Sequence, residues 1–221
     1  MHWISYLPAL AQGAMVTASI ALASIVIGAI IAFAIGIMRI EGGPILSTFA
    51  LCYTELFRGT SLLVQLFWFY YALPLIGPSF EPVTTGIVCL AMHSGAYGAE
   101  IVRAGLKSVP LQQFEAARAL NFGRVHQLLH ITLPQAIVEM LPAFGNLAVE
   151  TLKLTSLVSF ISIADLTFRA QSIRNLTLDS TAVYSLTLIG YFLMALVLAA
   201  AMKFITKLAR RGAAFPLAVH S

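Results

Sequence analysis

Hydrophobic positions in this chain do not alternate with polar ones over short distances. They gather into five long blocks parted by brief polar breaks. Residues 14–38 hold no charge and are long enough, at about 1.5 Å of helical rise per residue, to cross a bilayer with some tilt. Arg39, Glu41 and a Gly42-Gly43-Pro44 turn end that block. The second block, 47–76, is unusually long and is interrupted by Glu55 and Arg58; Gly77-Pro78 marks the loop after it. The third covers 83–106, the fourth 135–163 and the fifth 182–205, with a polar connection over 165–181. A lead, 1–13, carries Trp3 and Tyr6, residue types that favour the membrane interface, and a short tail, 209–221, closes the chain. The pattern predicts an all-α membrane protein of five transmembrane helices, with one membrane domain over 14–208 and no internal repeat.

Composition sharpens this. The chain has 221 residues, 59% hydrophobic and 10% charged, with a mean hydropathy of +0.89. A soluble domain carries roughly a quarter charged residues, so soluble classes are excluded. The net charge of +4 comes from basic residues beside the hydrophobic blocks rather than in a patch, which argues against nucleic acid. Nine basic residues (Arg39, Arg103, Lys107, Arg118, Arg124, Lys203, Lys207, Arg210, Arg211) fall on one side of a five-span arrangement, and only Arg169 and Arg174 on the other. Positive charge collects on the cytoplasmic side, so the N-terminus is expected in the periplasm and the C-terminus in the cytoplasm. Cys52 and Cys89 lie in apolar blocks as packing residues, and no cluster of residue types suggests a metal or a catalytic centre. No phosphate loop of the form G-x-x-x-x-G-K-[ST] occurs, and no cleaved signal peptide is expected.

Charges inside the blocks are the candidate chemistry. Glu55 with Arg58, Glu100 with Arg103, and Glu150 with Lys153 are each spaced i,i+3, on one face of a helix. A lone charge near the bilayer centre costs on the order of 3 kcal/mol, so such pairs are expected to face protein or a watery path. Two readings stay open: each pair neutralises itself, or Glu55, Arg58, Glu150 and Lys153 line a solute path. Gln65 and Ser156, with Thr155 and Ser159, either offer hydrogen bonds to that solute or bond neighbouring helices. His93 is expected to be a satisfied buried polar group. Gly95 and Gly98, with Ala96 and Ala99, are expected to let another helix approach closely.

One polar stretch, 107–134, stands between the third and fourth blocks: KSVPLQQFEAARALNFGRVHQLLHITLP. Pro110 suits a helix start, and Leu111, Phe114, Ala117 and Leu120 recur at helical spacing. Asn121, Phe122 and Gly123 break the pattern, since Asn and Gly tolerate positive φ; a second short helix, roughly 124–131, is expected to stop before Pro134.

Glu115-Ala116-Ala117 and Leu133-Pro134 stand at the separation of the EAA loop of ABC-importer permeases, which this stretch resembles. The usual glycine, four residues after the second Ala, is Asn121 here, with a glycine at Gly123 instead. TELFRGTSLLVQLFWFYY (54–71), GAYGAEIVRAGLKSVP (95–110) and LKLTSLVSFISIADL (152–166) extend the resemblance to the polar amino-acid branch over nearly the whole chain. Within that branch, 164–179 is similar to permeases for ectoine and hydroxyectoine.

The resemblance implies a type I importer permease in the bacterial inner membrane, forming the path for a polar amino acid or an amino-acid-derived compatible solute. Glu115, Ala116, Ala117, Asn121, Gly123, Leu133 and Pro134 would couple it to a separate ATPase subunit, which uses the ATP. This chain would bind no cofactor and catalyse nothing. Its other partners would be a homologous permease, identical or paralogous, a periplasmic solute-binding protein and membrane lipid. The branch commonly has Pro after the Thr of its FRGT run; Ser61 stands there in this chain, so a straighter second span is expected. The alternative, a subunit of a gradient-driven transporter or channel, would also use intramembrane charges but needs no such docking loop.

Overall fold

The computed structural model describes residues 3–212, and no strand occurs among them. Helix α1 (Leu7–Glu41) begins inside the expected lead, after a single 3-10 turn at Trp3–Tyr6. Pro8 lies in its first turn, where a missing N–H removes no helical bond, so the helix starts earlier than residue 14.

At the centre lies α4 (Pro82–Lys107), packed along α1 and against α2 (Pro44–Gly59) and α6 (Arg124–Ile161). Small residues make this possible. A Cβ on Gly98 would lie 2.6 Å from Ala32 Cβ, and one on Gly95 would lie 2.7 Å from Ile31 Cγ2, so the expected close approach is to α1. Ile20, Leu66, Leu90, Val158 and Ile161 build one end of the core. Val102, Leu106, Ala136 and Met140 build the other.

Among the described helices, α1, α6 and α8 (Ser180–Gly212) are long and apolar enough to cross a membrane. The pair α2 and α3 (Leu62–Ile76) makes a fourth if counted as one broken span. Helix α4, expected as the third span, has 26 residues but does not join that group. It is walled by other helices, so it carries Gly, Ala, Ser and His where a lipid-facing helix carries Leu and Ile.

The second span is not straight. α2 and α3 meet at 103°, although no proline stands at the break. Thr60 (φ −120°, ψ 153°) and Ser61 (φ −69°, ψ 131°) are extended, and side chains replace the lost helical bonds. Gln65 Nε2 donates to Phe57 O at 3.0 Å and to Thr60 Oγ1 at 2.6 Å, while Thr60 Oγ1 donates to Leu56 O at 2.7 Å. A helix end in a membrane must satisfy its carbonyls internally, and Gln65 does so.

Two wide π-turns follow one rule. Trp68–Ala72 precedes Leu73-Pro74, and Leu128–Thr132 precedes Leu133-Pro134. A proline inside a helix lacks its N–H and collides with the carbonyl four residues back; widening the preceding turn relieves both. The expected stop before Pro134 therefore does not occur, and α6 is a 38-residue rod running from the polar stretch into the fourth block. Gln135 Nε2 donates to Ile131 O at 3.0 Å, taking up a carbonyl at the turn.

The last part of α6, Thr155–Ile161, tightens to 3-10 and ends at Ser162 in the left-handed region (φ 63°). The connection expected over 165–181 contains a further helix, α7 (Leu166–Thr177), capped by buried Asp165, whose Oδ1 accepts from Phe168 N at 2.8 Å. Helix α8 continues through the start of the expected tail to Gly212; 213–221 lies outside the described residues.

Candidate functional site

The polar stretch folds as helix α5 (Leu111–Ala119), a tight turn, and the first turns of α6. Ala117 is buried against the bundle and Phe114 packs on the Val102–Met140 core, so a larger residue at 117 would lift α5 away. Asn121 adopts φ 56°; Phe122 N donates to Ala117 O at 3.0 Å and Asn121 N to Arg118 O at 2.9 Å. That is the Schellman ending, in which a left-handed residue lets the last carbonyls find donors. Asn121 alone fills the role expected of Asn121 and Gly123 together: Gly123 has φ −67° and ψ 156° and leads into α6. Glu115, Ala116, Asn121, Gly123 and Pro134 are exposed, and Leu133 is half-buried. In the same stretch Leu111, Leu120, Val125 and Leu129 are each half or more exposed, apolar side chains left uncovered on an otherwise polar segment.

The intramembrane charges are arranged differently from the i,i+3 spacing. Only Glu100 and Arg103 pair: Arg103 Nε and Nη2 donate to Glu100 Oε2 at 2.8 and 2.7 Å. Glu100 Oε1 also takes Arg39 Nη1 from α1, and Arg58 Nη1 from α2 lies 3.9 Å away. Arg58 therefore leaves Glu55 and reaches to α4, its guanidinium 5.3 Å from the centre of the Tyr97 ring. A carboxylate only 19% exposed attracts more strongly than an exposed one, because less water screens it. Glu55, Glu150 and Lys153 are exposed and have no ion-pair partner within 4 Å among the described residues, so the expected pairs Glu55/Arg58 and Glu150/Lys153 do not form. One acid with three arginines gives this junction an excess of positive charge.

Residues 24–211 match the family model described as the binding-protein-dependent transport system inner membrane component. The chain belongs to this family. A probable amino-acid ABC transporter permease protein of Sinorhizobium fredii is 48% identical over 211 residues, covering 93% of this chain and 89% of that one. A putative glutamine transport system permease protein of Rickettsia prowazekii is 35% identical over 175 residues, covering 77% and 80%. The crystal structure of an amino acid ABC transporter with histidines superposes with a TM-score of 0.85 at 33% identity, over 92% of this chain and 95% of that chain. The permease is a multi-pass inner-membrane subunit of a binding-protein-dependent ABC importer with the type I fold, and it is not an enzyme. ATP hydrolysis belongs to a separate ATPase, and the complex includes a solute-binding protein.

Within the permease, α6 shows what spacing alone missed. Glu139, Pro142, Asn146, Glu150 and Lys153 are all exposed and recur every three or four residues, while Met140, Ala148, Thr151 and Leu152 are buried behind them. A membrane helix with a polar outward stripe cannot face lipid along it. The periodicity is present in the sequence, but of its members only Glu150 and Lys153 stand at the i,i+3 spacing of opposite charges that points to a path. The hydroxyls of Thr155, Ser156 and Ser159 donate to Leu152 O, Lys153 O and Ser156 O at 2.7 to 2.9 Å, leaving their oxygens only as acceptors. Gln65 is 8% exposed and acts at the α2–α3 break. His93, expected to be satisfied, is buried against Tyr97 with Nδ1 lacking a partner among the described residues.

Proposed function

We propose that this permease docks its ATPase through α5 and the first turns of α6, with the N-terminus in the periplasm and the loop and C-terminus in the cytoplasm. Five crossings follow: α1, the broken α2–α3 pair, α4, α6 and α8. The observation that carries the reading is the exposure of Leu111, Leu120, Val125 and Leu129 together with Glu115, on a short helix and turn anchored by buried Ala117. Because α6 is continuous from Arg124, a push on the dock is delivered directly to the polar stripe of Glu139, Glu150 and Lys153. ATP moves the inward–outward equilibrium only through contacts that differ between the two states, and this rod supplies a route for them.

A second permease, identical or paralogous, covers the stripe and completes a shared path. Arg58 and Lys153 meet a solute carboxylate, with Glu55, Gln65, Glu150 and Ser156 nearby on the same path. The solute is a polar amino acid or an amino-acid-derived compatible solute of the ectoine kind. In reconstituted complexes, Glu115→Lys keeps ATP hydrolysis but loses uptake per ATP; uptake and hydrolysis equal to wild type would overturn the docking reading.

A further inference from the structure

A cleft of ≈ 540 Å³ runs between α6 and α8, away from the α5 dock. Its α6 wall includes Leu141, Gly145 and Val149; its α8 wall begins with Ala199 and Met202. The helices touch at mid-cleft, where a Cβ on Gly145 would lie 3.2 Å from Met202 Cβ. Further along α8 the lining changes character to Lys203, Thr206, Lys207, Arg210 and Arg211. These fall at i, i+3, i+4, i+7 and i+8, one face of the helix. Phe204, Ile205 and Leu208, on the other faces of the same turns, are exposed and apolar. Charge at a helix end to set topology could sit on any face; here all four cations face the cleft. None has an acidic partner within 4 Å among the described residues, since every ion pair there involves Glu100.

We propose that this cleft binds an anionic phospholipid. Its phosphate sits on Lys207, Arg210 and Arg211, and an acyl chain lies along Val149, Ala199 and Met202. The cleft is apolar at one end and four-fold basic at the other, the same order as a lipid's tail and headgroup. Basic pockets between membrane helices suit anionic headgroups on this ground. Asn146, near Met202, offers an amide between the two ends. The second permease covers the side of α6 that carries Glu139, Glu150 and Lys153; within the cleft a second copy is a poorer occupant, because a twofold pairing would bring the same four cations against these. The inference rests on both helices lying in the membrane and does not depend on how the ATPase docks.

The test uses the purified permease–ATPase complex in detergent, titrated with phosphatidylglycerol or phosphatidylcholine and read by native mass spectrometry. Wild type retains phosphatidylglycerol selectively. The variant K203Q/K207Q/R210Q/R211Q loses that retention by on the order of tenfold or more. Ala199→Phe keeps every charge but fills the cleft, and it loses retention too, which diffuse attraction between cations and lipid would not produce. Full retention in either variant, or equal retention of the two lipids, overturns the proposal. So does efficient disulfide cross-linking between two copies carrying Ala199→Cys on a Cys52→Ser background, because a second chain would then occupy the cleft.

Discussion

Glu100 offers the sharpest quantitative test. Glu100→Gln keeps the shape of the side chain and removes the only negative charge among Arg39, Arg58 and Arg103. Truncating one partner of a buried ion pair costs about 3–5 kcal/mol, because the other charge is left without compensation. Glu100 keeps 19% of its side-chain exposure, so water recovers part of the loss and about 3 kcal/mol is expected. For a chain of this size about 1 kcal/mol moves the melting temperature by roughly 2–4 °C, giving a fall of about 6–12 °C. Arg58→Gln is the internal control. Its Nη1 lies 3.9 Å from the carboxylate and its side chain is 38% exposed, so the change should stay within about 1 kcal/mol. Thermal unfolding of the detergent-purified complex, followed by circular dichroism, reads both. The reasoning fails if Glu100→Gln melts within about 2 °C of wild type, or if Arg58→Gln falls as far.

At the α2–α3 break, Gln65→Leu leaves Phe57 O without its side-chain donor, and a loss of about 1–3 kcal/mol should appear in the same melting assay. Stability equal to wild type would show that the bend does not need Gln65. At the loop turn, Asn121→Val forces a β-branched residue to φ 56°, at about 1–2 kcal/mol, whereas Asn121→Gly should match wild type. Uptake per ATP hydrolysed should drop only in the Val variant, and equal coupling in both would refute the strain argument. Burial pushes the Asp165 carboxyl above the usual carboxylate range, against the pull of the Phe168 and Thr167 N–H groups and the Tyr191 and Thr167 hydroxyls. The fold thus favours the protonated form, so its contribution is complete at low pH and is lost as pH rises through the raised value. Melting temperature should fall over that rise, and Asp165→Asn should flatten the slope; an unaltered slope would sink this account.

The hydrophobic blocks were legible because lipid imposes length and apolarity on any helix it touches, and α1 and α8 follow that rule directly. α4 was visible as a block, yet its central place is written only in its small residues, Gly95 and Gly98 among them, whose meaning depends on α1. The bend between α2 and α3 was hidden because its cause, Gln65, lies beyond the break and acts backward on Phe57 and Thr60. The Glu100 junction was hidden for a related reason. Sequence spacing displays neighbours along one helix, whereas Arg39 and Arg58 arrive from two others. Asn121 was legible, since few residues other than glycine accept a left-handed backbone so readily. The continuity of α6 was not, because Pro134 reads as a stop unless the widened turn before it is known.

That widened turn fixes a phase. A helix advances about 100° per residue, so the direction in which Glu139, Glu150 and Lys153 point is set by the number of residues between them and the dock. Deleting one residue between Pro134 and Glu139 would turn those side chains by about a quarter of a circle, setting Glu139 where buried Val138 is now and Lys153 where buried Leu152 is, while leaving the dock itself unchanged. Length in this segment is therefore a rotational setting, and a permease with every docking residue intact would still present the wrong side of α6 to its cargo.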